Sequence, residues 1–151
     1  RGCREAMESG VLAGYRLVDV KARLLRAEVD EETSSELAFK AAGTLAFNQG
    51  EEKAGPVLLE PVMDLEVVVP EAYTGEVTGD LNARGAEIRE MTSRAGGVQA
   101  IRAFVPLAKM FGYATDLRSL TQGRGTFTME FHHYAQVDQQ RMNAIIYGGS
   151  W

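Results

Sequence analysis

Residues 63–81 read MDLEVVVPEAYTGEVTGDL, and this stretch decides the fold of the chain. Apolar side chains alternate along Met63 to Val69, which is the pattern of a half-buried strand. The pair Pro70-Glu71 then suits the first turn of a helix. The apolar side of that helix comprises Tyr73, Val77 and Leu81. The stretch therefore predicts a strand that leads directly into a helix.

The same pattern returns in residues 99–117, QAIRAFVPLAKMFGYATDL. Val69-Pro70 and Val105-Pro106 each end a strand and open a helix, and Asp80-Leu81 and Asp116-Leu117 follow at the same offset. The further strands are expected at residues 84–91, 98–105 and 126–133. Each half is then strand–helix–strand, so we predict a ferredoxin-like βαββαβ domain in an α+β chain. One face of its sheet would pack on the two helices, leaving the other face free.

The residues before this repeat predict part of a smaller βαβ-type module. Residues 17–25 alternate as a strand does. Residues 33–36, TSSE, form a capping box with Thr33 as the N-cap, and the helix they open ends near Gly50. The helix face expected to be buried comprises Leu37, Ala38, Ala41, Ala42, Leu45 and Ala46.

The apolar pattern stops at Gly50 and restarts at Val57, with a glycine and a proline between them. We therefore expect one domain over residues 1–55 and a second over residues 56–151. A short terminal helix is expected at residues 139–146. The last four residues, GGSW, follow no periodic pattern.

An exposed corner is expected in residues 111–125, FGYATDLRSLTQGRG, where a helix stops at a glycine-containing turn before the last strand. The apolar face of that helix comprises Leu107, Met110, Phe111, Ala114 and Leu117. The polar residues that cluster at the corner are Arg118, Ser119, Gln122 and Arg124. Two guanidinium groups beside a hydroxyl and an amide suit a phosphate backbone and base edges. The alternative is a solvated helix C-terminus, where the helix dipole favours arginine.

Composition and charge exclude several classes of protein. The chain has 151 residues and a net charge of −5, so nucleic acid would be bound by local basic corners rather than by a bulk positive field. No apolar run is long enough to span a membrane, and no signal peptide is visible. The single cysteine, Cys3, fits a reducing cytoplasm. The chain begins at Arg1 inside what reads as a helix, so we expect a piece of a longer protein.

No catalytic or cofactor site is expected in this chain. A P-loop is absent, because no glycine-rich stretch ends in Gly-Lys-Ser or Gly-Lys-Thr. His132 and His133 are adjacent on a predicted strand, where neighbours point to opposite faces, so no metal site is expected there. Helix-end capping or solvation accounts for the repeated Asp80 and Asp116.

Several stretches of the chain, taken in order, resemble the C-terminal region of elongation factor G, the translational GTPase of ribosomal translocation. They are GVLAGY (10–15), VDVK (18–21), SSELAFK (34–40), PVLLEP (56–61), GDLN (79–82), FVPLA (104–108) and the corner at 111–125. The resemblance covers about residues 5–137 and implies part of the fourth domain followed by all of the fifth. It also implies that GTP and Mg²⁺ are held by a GTPase domain N-terminal to these residues.

The resemblance implies the ribosome as partner, bound by a monomer without membrane contact. Residues matching Arg118, Ser119 and Gln122 lie against the sarcin–ricin loop of large-subunit RNA in this family. Arg124 belongs to the same corner, and Arg84 is what remains of a pair of arginines typical of the family.

The resemblance also places a tip loop that enters the decoding site at Glu28, Asp30 and Glu31. Typical members of the family carry a histidine where Asp30 stands here. An acidic tip is electrostatically unfavourable in an RNA-lined site. Two alternatives to a translocation factor stay open: a divergent paralogue acting in ribosome recycling or antibiotic protection, which the altered tip favours, and a ferredoxin-like regulatory domain that binds a metabolite.

Overall fold

The computed structural model describes residues 1–148, which form two compact units. The first unit contains Arg1–Leu58 and the residues from Asp138 onward, and the second contains Leu59–Val137. The terminal helix therefore groups with the first unit, whereas the sequence pattern placed it at the end of the second domain. Of the terminal GGSW, Gly148 ends that helix, and residues 149–151 lie outside the described part.

The helices and strands follow one another in the order expected for the repeat. They are α1 (Gly2–Ala6), α2 (Glu36–Ala54), β1 (Leu59–Pro70), α3 (Thr74–Ala83), β2 (Glu87–Arg94), β3 (Val98–Pro106), α4 (Tyr113–Leu120), β4 (Thr126–Gln136) and α5 (Gln139–Gly148). Short 3₁₀ turns at Glu71–Tyr73 and Leu107–Lys109 join β1 to α3 and β3 to α4. The predicted strand at 84–91 begins later, because Arg84 and Gly85 form the end of α3 and a left-handed turn.

The second unit is built on a four-stranded sheet in the order β2-β3-β1-β4. All three strand pairs are antiparallel, and Val67 lies opposite Ile101 on one side and Phe127 on the other. With helices between β1 and β2 and between β3 and β4, this is the ferredoxin-like βαββαβ arrangement. The predicted α+β class and the repeat are therefore confirmed.

The core of this unit joins the central strands to both helices. Its buried residues are Leu65, Val67, Val69, Val77, Leu81, Ile101, Val105, Met110, Tyr113 and Leu117. The alternation predicted for β1 is present, since every second residue from Leu65 to Val69 is fully buried. Full burial of one such aliphatic side chain stabilises a fold by about 1.5–3 kcal/mol, so the cluster is the main source of this unit's stability.

The predicted apolar face of the second helix was partly wrong. Met110 and Leu117 are buried as predicted, but Leu107, Ala114 and Phe111 (81%) are exposed, and Tyr113 is buried instead. The reason is Gly112, whose positive φ of 76° separates the 3₁₀ turn from α4 and changes the direction of the chain. Because α4 starts only at Tyr113, Met110 and Tyr113 enter the core rather than a continuous stripe that includes Phe111.

The first unit contains no strand within residues 1–58, so the predicted strand at 17–25 is not formed. Its apolar side chains stay exposed, with Leu24 at 84% and Leu25 at 80%. A strand needs a hydrogen-bonded partner, and alternation alone does not supply one. The Leu17 N–H donates to the Met7 carbonyl (2.7 Å), but no strand forms along the segment within the residues that the structure describes.

Helix α2 begins and ends later than predicted. Its N-cap is Ser35, whose hydroxyl accepts a hydrogen bond from the Ala38 N–H (3.1 Å), rather than Thr33. Ser34 is engaged elsewhere, because its hydroxyl accepts from the Asp30 N–H (2.8 Å). At the other end Gly55 adopts the left-handed conformation (φ 71°) that commonly stops a helix.

The packed face of α2 also differs from the predicted one. The six apolar residues predicted to be buried are exposed, with Leu37 at 75%. Helix α1 instead contacts the side that carries Gly43 and Thr44, where Thr44 Oγ1 donates to the Gly2 carbonyl (3.2 Å). A Cβ on Gly2 would lie 2.1 Å from the Lys40 carbonyl oxygen, so the close approach requires glycine there.

We expect a shortened chain that starts at Ala54 to fold alone, because every residue of the core cluster lies inside the second unit. Circular dichroism with a thermal melt should show a cooperative transition. A matched chain ending at Val137 should melt in the same way if α5 contributes nothing to this unit. If the chain from Ala54 to the end of the sequence gives an unfolded spectrum, the domain boundary does not lie near Ala54.

Candidate nucleic-acid interface

The corner after α4 is a tight turn in the left-handed region. Gln122 has φ 52° and Gly123 has φ 77°. The Gly123 N–H donates to the Arg118 carbonyl (2.8 Å), and the Arg124 N–H donates to the Thr121 carbonyl (3.0 Å). A left-handed conformation is ordinary for glycine but uncommon for glutamine, so the turn holds Gln122 in a position that it would not adopt freely.

A buried hydroxyl fixes this turn from the inside. Thr121 is fully buried, and its Oγ1 donates to the Leu117 carbonyl (2.7 Å) while accepting from the Gly125 N–H (2.8 Å). A Cβ on Gly125 would lie 2.8 Å from that same oxygen and 3.1 Å from Leu117 Cδ1. Glycine is therefore needed at this position for the turn to close on Thr121.

The four residues predicted for the corner are all brought to its surface: Arg118, Ser119, Gln122 and Arg124 are exposed. Across residues 1–148, neither Arg118 nor Arg124 makes an ion pair with a carboxylate. Two exposed guanidinium groups are thus carried by the last turn of α4 and the turn that follows it, without a carboxylate partner among residues 1–148. Such groups can bind phosphate oxygens, in one-point or bidentate fashion.

Arg84, the fifth predicted contact, has a different environment. Its Nε donates to Asp80 Oδ2 (2.8 Å), its Nη1 to the Lys109 carbonyl (2.8 Å), and its Nη2 to Asp116. The guanidinium also lies over the Tyr113 ring, 5.0 Å from its centroid. Its donors are therefore used inside the fold.

Charge and burial shift two pKa values in this cluster. Burial alone would lower the pKa of Arg84, but hydrogen bonds and attraction from Asp80 and Asp116 raise it overall. Burial, reinforced by Asp80, raises the pKa of Tyr113 far above its usual range. The two aspartates thus share one cation, although Asp116 stays half exposed. The i,i+4 spacing of Asp80 and Arg84 is a local signal for their ion pair, whereas no sequence pattern indicated the contact with Asp116.

The acidic loop of the first unit is organised by Asp30. Its Oδ1 accepts from the Glu32 N–H (2.9 Å) and the Thr33 N–H (3.1 Å), and these hydrogen bonds lower the pKa of the carboxyl. Glu28 pairs with Arg26 (2.7 Å), and Glu31 is exposed. The loop therefore presents carboxylates outward.

The two adjacent histidines do not point to opposite faces, so that prediction was wrong. Val62 pairs with His133 and Met63 with Phe131, which leaves His132 as the extra residue of a β-bulge. Their Nδ1 atoms lie 2.8 Å apart. Within residues 1–148, no group of three or more His, Cys, Asp or Glu side chains is arranged to hold a metal ion. A bulge leaves no mark in the alternation of a single strand, so sequence reasoning missed the contact.

No helix in the described part of the chain is long and apolar enough to cross a membrane.

Two family models match successive parts of the chain. The family model described as elongation factor G C-terminus matches residues 57–145, and the model for elongation factor G, domain IV, matches residues 1–55. The chain belongs to the elongation factor G family. This confirms the resemblance carried by the sequence motifs.

This elongation factor G region is also similar to a solved structure. A crystal structure of a protein from Thermus thermophilus matches with a TM-score of 0.83 and 39% sequence identity. The match covers 97% of this chain and 22% of that chain. The chain therefore spans about a fifth of the length of the structure that it matches.

Proposed function

We propose that this region binds the large ribosomal subunit and contacts the sarcin–ricin loop of its RNA through Arg118, Ser119, Gln122 and Arg124. The observation that carries the proposal is the turn after α4. It presents two arginines without ion-pair partners among residues 1–148, on a rigid corner anchored by buried Thr121, in a chain whose net charge is −5. A bulk attraction to RNA cannot operate at that net charge, so a local and preorganised contact is required.

Each residue of the corner has a distinct part in this contact. Arg118 and Arg124 would neutralise backbone phosphates, and the hydroxyl of Ser119 adds a donor to a phosphate or sugar oxygen. Gln122 carries both a donor and an acceptor, which suits a base edge. Arg84 would support the corner indirectly, because it ties the loop before α4 to Asp116 on that helix.

The role of the region in the parent protein would be non-catalytic. GTP and Mg²⁺ would be held by another domain of an elongation-factor-G-like protein, and this region would anchor that protein on the ribosome during GTP-dependent translocation in the cytoplasm. The chain is proposed to act as a monomer. Calorimetry with GTP should accordingly show no saturable binding to this chain, which has no P-loop sequence.

The acidic loop favours a second candidate, a paralogue acting in ribosome recycling or protection. Asp30 fixes this loop by accepting two backbone hydrogen bonds, and its lowered pKa keeps the carboxylate charged. A negative tip would be repelled by the phosphates of the decoding site. Translocation and recycling assays with the longer protein, with and without Asp30→His, separate the two roles.

Arg118→Ala is expected to weaken binding to large ribosomal subunits by about 1–3 kcal/mol, the range for a charge-assisted hydrogen bond. The slope of log K against log salt concentration should become less steep by about the amount that one phosphate contact contributes. Stability should change by less than about 0.5 kcal/mol, because the side chain is exposed. Co-sedimentation at several salt concentrations, beside a thermal melt, measures both quantities.

Arg23→Ala is the matched control, since Arg23 is an exposed arginine outside the corner. It should leave binding and its salt dependence nearly unchanged. The opposite pattern for Arg118→Ala, with unchanged binding and a large fall in melting temperature, would mean that Arg118 is a structural C-cap. The corner would then be a solvated helix end.

A further inference from the structure

The histidine pair on β4 is the feature of the second unit that ribosome binding leaves unexplained. The bulge brings His132 and His133 to the same side, with their Nδ1 atoms 2.8 Å apart and their rings nearly perpendicular (85°). Phe104 on β3 packs against both rings, with centroids 4.5 Å from His132 and 5.7 Å from His133. Both imidazoles are exposed, so a small solute can reach them.

We propose that His132 and His133 form a two-imidazole site for a divalent transition-metal ion of the copper(II) class. Two neighbouring nitrogens about 2.0 Å from a square-planar ion lie about 2.8 Å from each other, which is the separation found here. A tetrahedral ion with the same bond lengths would need about 3.3 Å. Geometry and the Irving–Williams order therefore both favour Cu²⁺ over Zn²⁺.

The protonation states of the two rings are compatible with this assignment. Without metal, a contact of 2.8 Å requires one Nδ1 to donate and the other to accept. With metal, both Nδ1 lone pairs face the ion, and both rings carry their proton on Nε2. The change moves one proton between the two nitrogens of a single ring and releases none from a pair of neutral histidines.

The surroundings leave room for the remaining ligands to be water. A shallow depression beside His132 is lined by Asp64, Arg89, Glu90, Arg102, Phe104 and His132. Both arginines in this depression are paired with carboxylates, Arg102 with Asp64 and Arg89 with Glu87. The paired carboxylates offset the repulsion that the arginines would exert on a divalent cation. Two imidazoles and solvent complete a tetragonal site of the kind that copper(II) prefers.

The test is a titration of the whole chain with Cu²⁺ in a Cys3→Ser background, which removes the only thiol. The chain has two histidines in all, so any imidazole signal comes from this pair. Electron paramagnetic resonance should show two imidazole nitrogens on one Cu²⁺, and NMR should show both rings broadened together. His132→Gln and His133→Gln should each weaken binding at least about tenfold, because each removes one of two tethered ligands.

Glu130→Gln is the matched control on the same strand, and it should leave the affinity unchanged. A spectrum with one imidazole nitrogen or none would overturn the proposal, since it would place the metal at the N-terminus or on a single ring. The proposal would also be overturned if His132→Gln or His133→Gln bound Cu²⁺ as tightly as the chain with both histidines. A circular dichroism spectrum of each variant establishes that the sheet is intact.

Discussion

Replacement of Arg84 by alanine is expected to lower the free energy of unfolding of the second unit by about 2–4 kcal/mol. Only 13% of the Arg84 side chain is exposed, and its guanidinium binds Asp80, Asp116 and the Lys109 carbonyl. Removing one partner of a buried ion pair usually costs about 3–5 kcal/mol, because the other charge is left unpaired. Asp116 is half exposed, so water compensates part of that loss.

Urea unfolding of the shortened chain starting at Ala54 measures this effect. The triple variant Arg84→Met, Asp80→Asn, Asp116→Asn is the informative control, since it removes the cation and both carboxylates together. It should recover much of the stability that Arg84→Ala loses. If Arg84→Ala costs under about 0.5 kcal/mol, as exposed substitutions do, Arg84 is a free surface cation and an RNA contact again becomes its best assignment.

Replacement of Gly125 by valine should destabilise the same unit by about 2–5 kcal/mol. The new Cβ would meet Thr121 Oγ1 at 2.8 Å and Thr121 Cγ2 at 3.0 Å. Thr121 cannot move aside, because it is fully buried and its hydroxyl makes two hydrogen bonds. Overpacking costs about 1–3 kcal/mol, and a stranded polar group costs about as much again.

Gly75→Ala is the matched control for this substitution. Gly75 lies in α3, and nothing would come within 4 Å of its added Cβ. Alanine should leave the stability unchanged or raise it by less than the roughly 0.5–1 kcal/mol gained in the middle of a helix, because Gly75 lies in the first turn. If Gly125→Val were as well tolerated as Gly75→Ala, the turn would not be anchored by Thr121, and the rigid corner assumed in the proposed function would be lost.

The second unit could be predicted because its signals are local. Strand β1 alternates with every second residue buried, and Pro70 and Pro106 mark the ends of two strands. The first unit could not be predicted in the same way. Residues 17–25 alternate too, but whether a partner strand exists is a property of the rest of the fold and not of the segment.

The same distinction separates the parts of the site. The exposed corner followed from a helix stop and a polar turn, both of which are local patterns. The contact between Arg84 and Asp116 depends on two distant elements, and the histidine pair depends on a register shift between two strands. A single glycine can also override an apolar period. Because Gly112 has a positive φ, the chain changes direction there, and Tyr113 rather than Phe111 lies in the core.

Directed cleavage from the corner tests the central claim most directly. Ser119→Cys in a Cys3→Ser background gives a single thiol, to which an iron chelate that generates hydroxyl radicals can be attached. Bound to large ribosomal subunits, this probe should cut the RNA at the sarcin–ricin loop, while the same chelate on Glu76→Cys, exposed on α3, should give a different pattern or none. Cleavage elsewhere on the subunit, or identical cleavage from both positions, would contradict the assignment of this corner to the sarcin–ricin loop.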